Sequence, residues 1–258
     1  MILVCSDSDG VLKDGKKPVP LEIIRAIDTA RARLDIMFVR ITGAPVAHLS
    51  DGLKADRAFG EAGGVELLPD GAVAVARYAE RAVRALRTLK QGLDVRAEDG
   101  IVGSPYGTFG LEGVRHTSLT LFFGEHALYP GQSTTAEPEH VAAWIQNHIR
   151  RLDLPLYMRA GRSGTYTYLD IGHPQVMKKE RVVRVILRST SHERAYYLGD
   201  SGNDAGAMRL RGIIPVTFAN GTADIQRIVK KRKGLKIEKP GPYGGVEEFF
   251  ARLSTGGL

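Results

Sequence analysis

The sequence predicts an α/β protein: a parallel-sheet core with helices on both faces, interrupted by an inserted α+β segment. Three observations carry that expectation. Short apolar runs bounded by turn residues alternate with stretches of helical periodicity, the pattern of strands joined by crossover helices. This pattern occupies both ends of the chain, with MILVC and IMFVRIT early and AYYLG and IIPVTFA late. The middle reads helix, strand, helix, strand pair, which is the pattern of a small α+β layer.

Taken in chain order, residues 1–6 read as a short buried strand that ends in acids. A helix begins near Pro20, where Leu21, Ile24, Ile27, Ala30 and Leu34 fall close to one face. IMFVRIT (36–42) is a second apolar strand, stopped by Gly43 and Pro45. The middle opens with the helical ARYAERAVRALRTL, followed by the strand HTSLTLFF (116–123). EHVAAWIQNHIRRL (139–152) is helical through Val141, Ile145, Ile149 and Leu152, and LPLYMRAGRSGTYTYLDI is a hairpin with GRSG at its turn. The core pattern then resumes. VMKKERVVRVIL (176–187) has a helical stripe, AYYLG (195–199) is a strand, NDAGAMRLR (203–211) is helical, and IIPVTFA (213–219) is one more strand. The expected organisation is core at 1–75, insertion at 76–169 and core again at 170–258.

The 258 residues are 43% apolar and 25% charged, as is ordinary for a globular chain. No apolar run nears the roughly 20 residues of a membrane span. No basic stretch precedes an apolar one at the N-terminus, as a secretory signal requires. The single cysteine, Cys5, excludes an intramolecular disulfide and a cysteine-rich zinc site, and reads as a small buried side chain. The cytoplasm is the expected compartment. The net charge of +7 suits an anionic ligand. The one dense basic run, KKRKGLK at 230–236, reads as a solvated helix end before Gly234. No aromatics alternate with it, as a single-strand nucleic-acid groove would need. Neither nucleic acid nor a membrane is therefore an expected partner, and nothing in the sequence points to an oligomeric state.

In parallel α/β sheets, ligands sit outside the carboxyl ends of the strands. Asp7 and Asp9 follow the first strand, Thr42 the second, and GDSGND (199–204) a third. One crevice would therefore gather Asp7, Asp9, Asp200 and Asp204, with no histidine or cysteine among them. Oxygen-only ligands suit a hard divalent cation. Mg²⁺ fits best, because it keeps waters and binds through few carboxylates plus a phosphate. A metal also accounts for like charges so close together. A carboxylate can attack phosphorus. A second carboxyl two residues on can protonate the leaving oxygen and then activate water. Thr42 offers a hydroxyl to the nonbridging oxygens, and a nearby lysine would balance the charge of phosphoryl transfer. Lys178 and Lys179 are the candidates, and nothing local decides between them.

DSDG (7–10), Thr42-Gly43 behind an apolar strand, a lysine before a helix, and GDSGND stand in a telling order. It resembles that of the four motifs of the haloacid dehalogenase-like phosphatases. FANG (218–221) and GGVEEFF (244–250) also look like that superfamily's C-terminal portion, so the resemblance spans nearly the whole chain. It implies a Rossmann-like core with an inserted α+β cap domain. Carried over by position, it implies that Asp7 is the nucleophile and Asp9 the general acid/base, which also binds the metal through its main-chain carbonyl. Thr42, Gly43, Asn203 and a lysine would hold the phosphate, and Asp7, Asp9, Asp200 and Asp204 the Mg²⁺. Aligning DIGHPQVMKKERV with the family's lysine segment favours Lys178, because a glycine usually follows that lysine and Lys179 takes its place. Val11 replaces a common threonine, and Ala44 stands where many members carry arginine or asparagine. Neither departure removes a group that the chemistry requires.

An insertion between the second and third motifs resembles the subclass with a large α+β cap. That subclass includes phosphoglycolate phosphatases, sugar-phosphate phosphatases, and sucrose- or mannosylglycerate-phosphate phosphatases. Such caps close over the site and select the leaving group. The implied activity is that of a Mg²⁺-dependent phosphatase acting on a small phosphorylated substrate through an aspartyl phosphate. The turn GRSG (161–164), the loop GSPYGTFG (103–110), and Arg162 or Arg115 are the cap features that could reach such a substrate. The plainer reading of either arginine is a surface residue. A phosphomutase or phosphotransferase would use the same aspartyl phosphate, and a catalytically silent binding member is the remaining alternative. His140 and His148 show no metal spacing, and Ser201 lacks the G-x-S-x-G elbow of a serine hydrolase. Trp144, Tyr166 and Tyr168 read as packing.

Overall fold

The computed structural model describes every residue except 16, 96–99, 112–114, 125–133 and 164–165. The chain begins β1 (Ile2–Ser6), α1 (Leu21–Arg33), β2 (Ile36–Ile41), β3 (Arg57–Gly60), β4 (Val65–Leu67) and β5 (Val73–Val75). It continues through α2 (Glu80–Gly92), β6 (Gly100–Ser104), β7 (Gly107–Leu111), β8 (Ser118–Phe123), α3 (Pro138–Arg151), β9 (Tyr157–Ser163) and β10 (Tyr166–Gly172). It closes with α4 (Lys179–Ser189), β11 (Arg194–Leu198), α5 (Ala205–Met208), β12 (Ile213–Thr217), α6 (Ala223–Lys231), β13 (Leu235–Lys236) and α7 (Val246–Ser254).

These elements form two compact units, Met1–Ala74 with Lys178–Leu258, and Val75–Met177. The second crossing lies at residue 178, later than the expected 170. β10 runs to Gly172 in register with β8 and β9, and Val176 packs against Ala79 and Ala82. Both ties hold residues 170–177 in the second unit.

An eight-stranded sheet in the order β13-β12-β11-β1-β2-β3-β4-β5 underlies the first unit. The six strands from β13 to β3 run parallel, and β4 turns back antiparallel to β3. Successive side chains of a strand point to opposite faces. Val4 therefore joins Phe38, Tyr196 and Leu198 beneath α1 and α7, through Ile23, Ile27, Phe249 and Phe250. Leu3 and Cys5 join Val39, Ile41 and Tyr197 beneath α4, α5 and α6, through Val183, Ile186, Met208 and Ile225. Cover on both faces is why these strands are continuous apolar runs. The expected helix at 203–211 is shorter. It is a 3₁₀ turn, Gly202–Asp204, running into the four residues of α5. The Asp204 carboxylate accepts the N–H groups of Asp200 and Ser201, which folds the chain tightly there.

In the second unit, a five-stranded antiparallel sheet runs β6-β7-β8-β10-β9. Leu119, Leu121 and Phe123 of β8 and Leu169 and Ile171 of β10 face Leu86 and Leu89 of α2 and Val141 and Ile145 of α3. GSPYGTFG is not a loop but most of the β6–β7 hairpin, with Ser104 paired to Gly107. Gly107 has φ +111°, which a residue with a Cβ adopts only under strain. Part of GRSG and the Arg162 side chain lie outside the described residues, whereas Arg115 donates to Ser118 Oγ at 3.2 Å. No helix among the described residues is long and apolar enough to cross a membrane.

Candidate active site

β1 lies between β11 and β2, with Ser6 level with both Leu198 and Arg40. The residues that follow these three strands therefore emerge side by side. Asp7 extends the ladder by one bond, its N–H donating to the Leu198 carbonyl at 3.0 Å, while Thr42 N–H donates to Phe59 at 2.9 Å. The chain then wraps around the Ser8 carbonyl, which accepts the N–H groups of Leu12 at 2.8 Å and Lys13 at 3.0 Å. Gly10 makes this loop possible twice over. Its φ is +77°, and a Cβ there would overlap the Asp200 carboxylate. Asn220 clips the same loops together. Its Nδ2 donates to the Gly10 carbonyl at 2.7 Å and reaches Asp200 Oδ2 at 3.4 Å, while its Oδ1 accepts Gly241 N–H at 2.9 Å.

The centre of the cluster is Lys179, 2% exposed. Its Nζ lies 2.7 Å from Asp7 Oδ1 and 2.9 Å from Asp204 Oδ1. Asp7 Oδ1 also accepts the Ser8 N–H at 2.7 Å. Asp204 is fully enclosed and its oxygens are occupied. Tyr197 donates to Oδ1 at 2.8 Å, and the amides of Asp200 and Ser201 reach Oδ2 at 3.2 Å each. Lys178, the lysine favoured by alignment, is exposed at the N-cap of α4 with extended φ −139° and ψ 103°. The helix starts one residue later, so the first residue inside it, Lys179, is the one that turns into the cluster. Thr42 is buried, its Oγ1 accepting the Ala44 N–H at 3.0 Å and standing 3.5 Å from Asp9 Oδ2. Asp9 Oδ1 is buried without a hydrogen-bond partner among the described residues. Gly43 follows Thr42 with open space where a Cβ would stand, and Asn203 is exposed on the 3₁₀ turn.

The electrostatics follow from this enclosure. Burial pushes the Asp7 carboxyl well above the ordinary carboxylate range, Asp204 adds to the push, and Lys179 opposes it. Burial also raises Asp9, against the charges of Lys13, His48 and Lys179. Asp200 is pushed up to about 7, first by burial and then by Asp204. Burial disfavours the Lys179 ammonium, but Asp204 and Asp7 outweigh it and hold the lysine above its usual range. Acidic groups thus crowd this crevice, and their enclosure disfavours charging all of them at once.

One carboxylate oxygen from each of Asp7, Asp200 and Asp204 lies within 4.8 Å of the others. The donors fit Mg²⁺: all are oxygens, and one neighbouring oxygen, Asp9 Oδ1, is orphaned among the described residues. Asp204 is the exception, because its oxygens already serve Lys179, Tyr197 and two amides. Tyr197, Asn220 and the Lys13, Arg40 and Asp51 charges behind the loop were not read from the sequence as part of a site. The available signals were an arginine inside the apolar run IMFVRIT and the asparagine of FANG.

The fold now has a class. A parallel core sheet covered on both faces, with an antiparallel α+β insertion, is the Rossmann-like fold of the haloacid dehalogenase-like phosphatases with a cap domain. Among solved structures, the chain is similar to a phosphatase of the haloalkanoate enzyme superfamily from Bacteroides thetaiotaomicron, with 17% identity and a TM-score of 0.61 over 99% of this chain and 95% of that one. It is similar to a Thermotoga maritima protein at 13% identity and a TM-score of 0.65, covering 97% and 96% of the two chains. It is also similar to the trehalose-6-phosphate phosphatase of Aspergillus fumigatus at 17% identity and a TM-score of 0.57, covering 99% and 93%. At these identities the likeness is one of fold. No protein-family model matches the sequence, and no curated protein does.

Proposed function

We propose that the protein is a Mg²⁺-dependent phosphatase that hydrolyses a small phosphorylated metabolite, a phosphoglycolate or a sugar phosphate, through an aspartyl phosphate on Asp7. The observation that carries this reading is the Lys179 bridge. A buried ammonium holds the Asp7 carboxylate at the mouth of the central strand, two residues from a second carboxyl with an orphaned oxygen. The phosphatases among the solved structures of this fold support the same reading.

Asp7 Oδ1 is committed to Lys179 and the Ser8 amide. That leaves Oδ2, which has no hydrogen bond among the described residues, to attack phosphorus. As the P–Oδ2 bond forms, the bond from phosphorus to the leaving oxygen breaks, and Asp9 gives its proton to that oxygen. Burial favours the protonated Asp9 needed for this step. Asp9, now a carboxylate, takes a proton from water as the water oxygen attacks phosphorus. The P–Oδ2 bond breaks, inorganic phosphate leaves and Asp7 is restored. The Thr42 hydroxyl and the third N–H of Lys179 are the donors for the nonbridging oxygens. When bound, Mg²⁺ supplies positive charge against the phosphoryl oxygens, and Asp7, Asp200 and the Asp9 carbonyl would hold it.

The test is phosphate release from a panel of phosphoglycolate, hexose phosphates, disaccharide phosphates and an aryl phosphate, with Mg²⁺ and with EDTA. Release that needs Mg²⁺ and disappears in Asp7→Asn is expected. Release that survives Asp7→Asn, or none from any substrate, rejects the reading.

A further inference from the structure

Behind the acidic loop lies a group of charges that the chemistry above does not use. Arg40, on β2 beside the central strand, is fully buried. Its guanidinium grips Asp51 with bonds of 2.6 and 2.9 Å and reaches the Leu49 carbonyl and Ser8 Oγ at 3.3 Å each. Lys13, 3% exposed, places its Nζ 3.4 Å from the same Asp51 and donates to the His48 carbonyl at 3.0 Å. Two cations share one carboxylate, and Lys13 also faces the Asp9 carboxyl.

Packing alone would not select this arrangement. A buried ion triad is commonly no more stable than apolar side chains of the same volume, because desolvation offsets the attraction. What the triad does have is a grip on the loop. Lys13 forms an isolated β-bridge with Asp9, and its carbonyl accepts the Gly10 N–H at 2.8 Å. Arg40 holds Ser8 from below, and Asp51 ties both cations to the segment after Thr42.

We propose that Lys13, Asp51 and Arg40 form a buried positioning triad that locks the loop carrying Asp9 against the end of β2. The inference rests on the phosphatase reading for its kinetic consequence but not for its structural one. Lys13→Met is the direct probe, since it leaves Arg40 and Asp51 as a balanced pair. For release from an aryl phosphate with Mg²⁺, kcat falls at least tenfold with KM within twofold, and Lys13→Arg recovers at least half of the loss. Hydrogen exchange of the Gly10, Leu12 and Lys13 amides speeds up at least tenfold in Lys13→Met. The apolar triple variant Lys13→Met/Arg40→Met/Asp51→Leu melts no lower than the wild type, yet shows the same fall in kcat.

Wild-type kcat in Lys13→Met, or unchanged exchange of those amides, overturns the triad. So does a Lys13→Arg variant as impaired as Lys13→Met. If the wild type itself releases no phosphate, the phosphatase reading fails, and the exchange measurement still decides for or against the triad.

Discussion

Replacing Lys179 by methionine removes the one ammonium that touches both Asp7 and Asp204, at 2.7 and 2.9 Å. The two carboxylates then face each other in the interior with nothing between them. Removing one partner of a buried pair costs about 3–5 kcal/mol. In a folding unit of this size, each kcal/mol lowers the melting temperature by about 2–4 °C, so the expected drop is roughly 6–20 °C. The loss also depends on pH. The Asp7 carboxyl already lies above its unfolded value, and losing Lys179 raises it further. A carboxyl raised in the folded state stabilises when protonated and loses that contribution as pH climbs through its folded pKa. The gap between variant and wild type therefore widens as pH rises. The assay is thermal melting in EDTA across a pH series, alongside Mg²⁺-dependent phosphate release, which Lys179→Met abolishes. Lys178→Met is the control. Its side chain is exposed, so its melting temperature stays within about 1–2 °C of the wild type and release persists. Lost release in Lys178→Met with retained release in Lys179→Met would refute the assignment.

Other expectations concern the same crevice. Gly10→Ala forces a Cβ onto the Asp200 carboxylate at a positive φ, so calorimetry should find Mg²⁺ binding at least tenfold weaker; unchanged affinity would remove Asp200 from the ligand set. Asp200 is raised to about 7 in the folded state, so the melting temperature of the metal-free protein falls as pH rises from about 4 to 7. Mg²⁺ should flatten that slope, and a slope indifferent to Mg²⁺ would count against the cluster as its site. Asp9→Asn keeps the nucleophile but cannot activate water. Mass spectrometry should find a phosphoryl adduct on Asp7, and full steady-state activity would defeat the role given to Asp9.

The strands of the core were legible because each is buried on two faces, which leaves an unbroken apolar run such as ILVCS or IMFVRI. β3, β4, β5 and β13 were not. They are two to four residues each toward the two ends of the sheet, too short for a period to register. The β6–β7 hairpin, GIVGS and GTFGL, hid behind glycines that read as loop, one of which makes room for the Phe122 ring. That Asp7, Asp9, Thr42 and Asp200 gather at neighbouring strand ends was readable, because a strand end fixes where the next residue points. The choice between Lys178 and Lys179 depends on where α4 begins to within one residue. That boundary is set by the bonds to Asp7 and Asp204, which only tertiary structure supplies. The bonds of Asp204 were hidden in the same way, since spacing cannot reveal that its oxygens accept from Lys179, Tyr197 and two amides.

The position of β1 between β2 and β11 has a consequence for biosynthesis. β2 is complete soon after β1, but β11 begins at Arg194, beyond the whole of Val75–Met177. At elongation rates of about 5–20 residues per second, the far edge of β1 waits on the order of 10–30 s for its partner. The continuous Val75–Met177 stretch, with its own core, can form on the ribosome during that interval. Asp7 and Asp9 therefore emerge early beside an open strand edge, while Lys179, Asp200 and Asp204 arrive much later. A nascent chain stopped before residue 194 would carry Asp7 without Asp200, Asp204 and β11, and with an edge inclined to pair with other chains. Chaperone capture of this protein should accordingly concentrate on ribosome-bound chains between the completion of β2 and the appearance of β11.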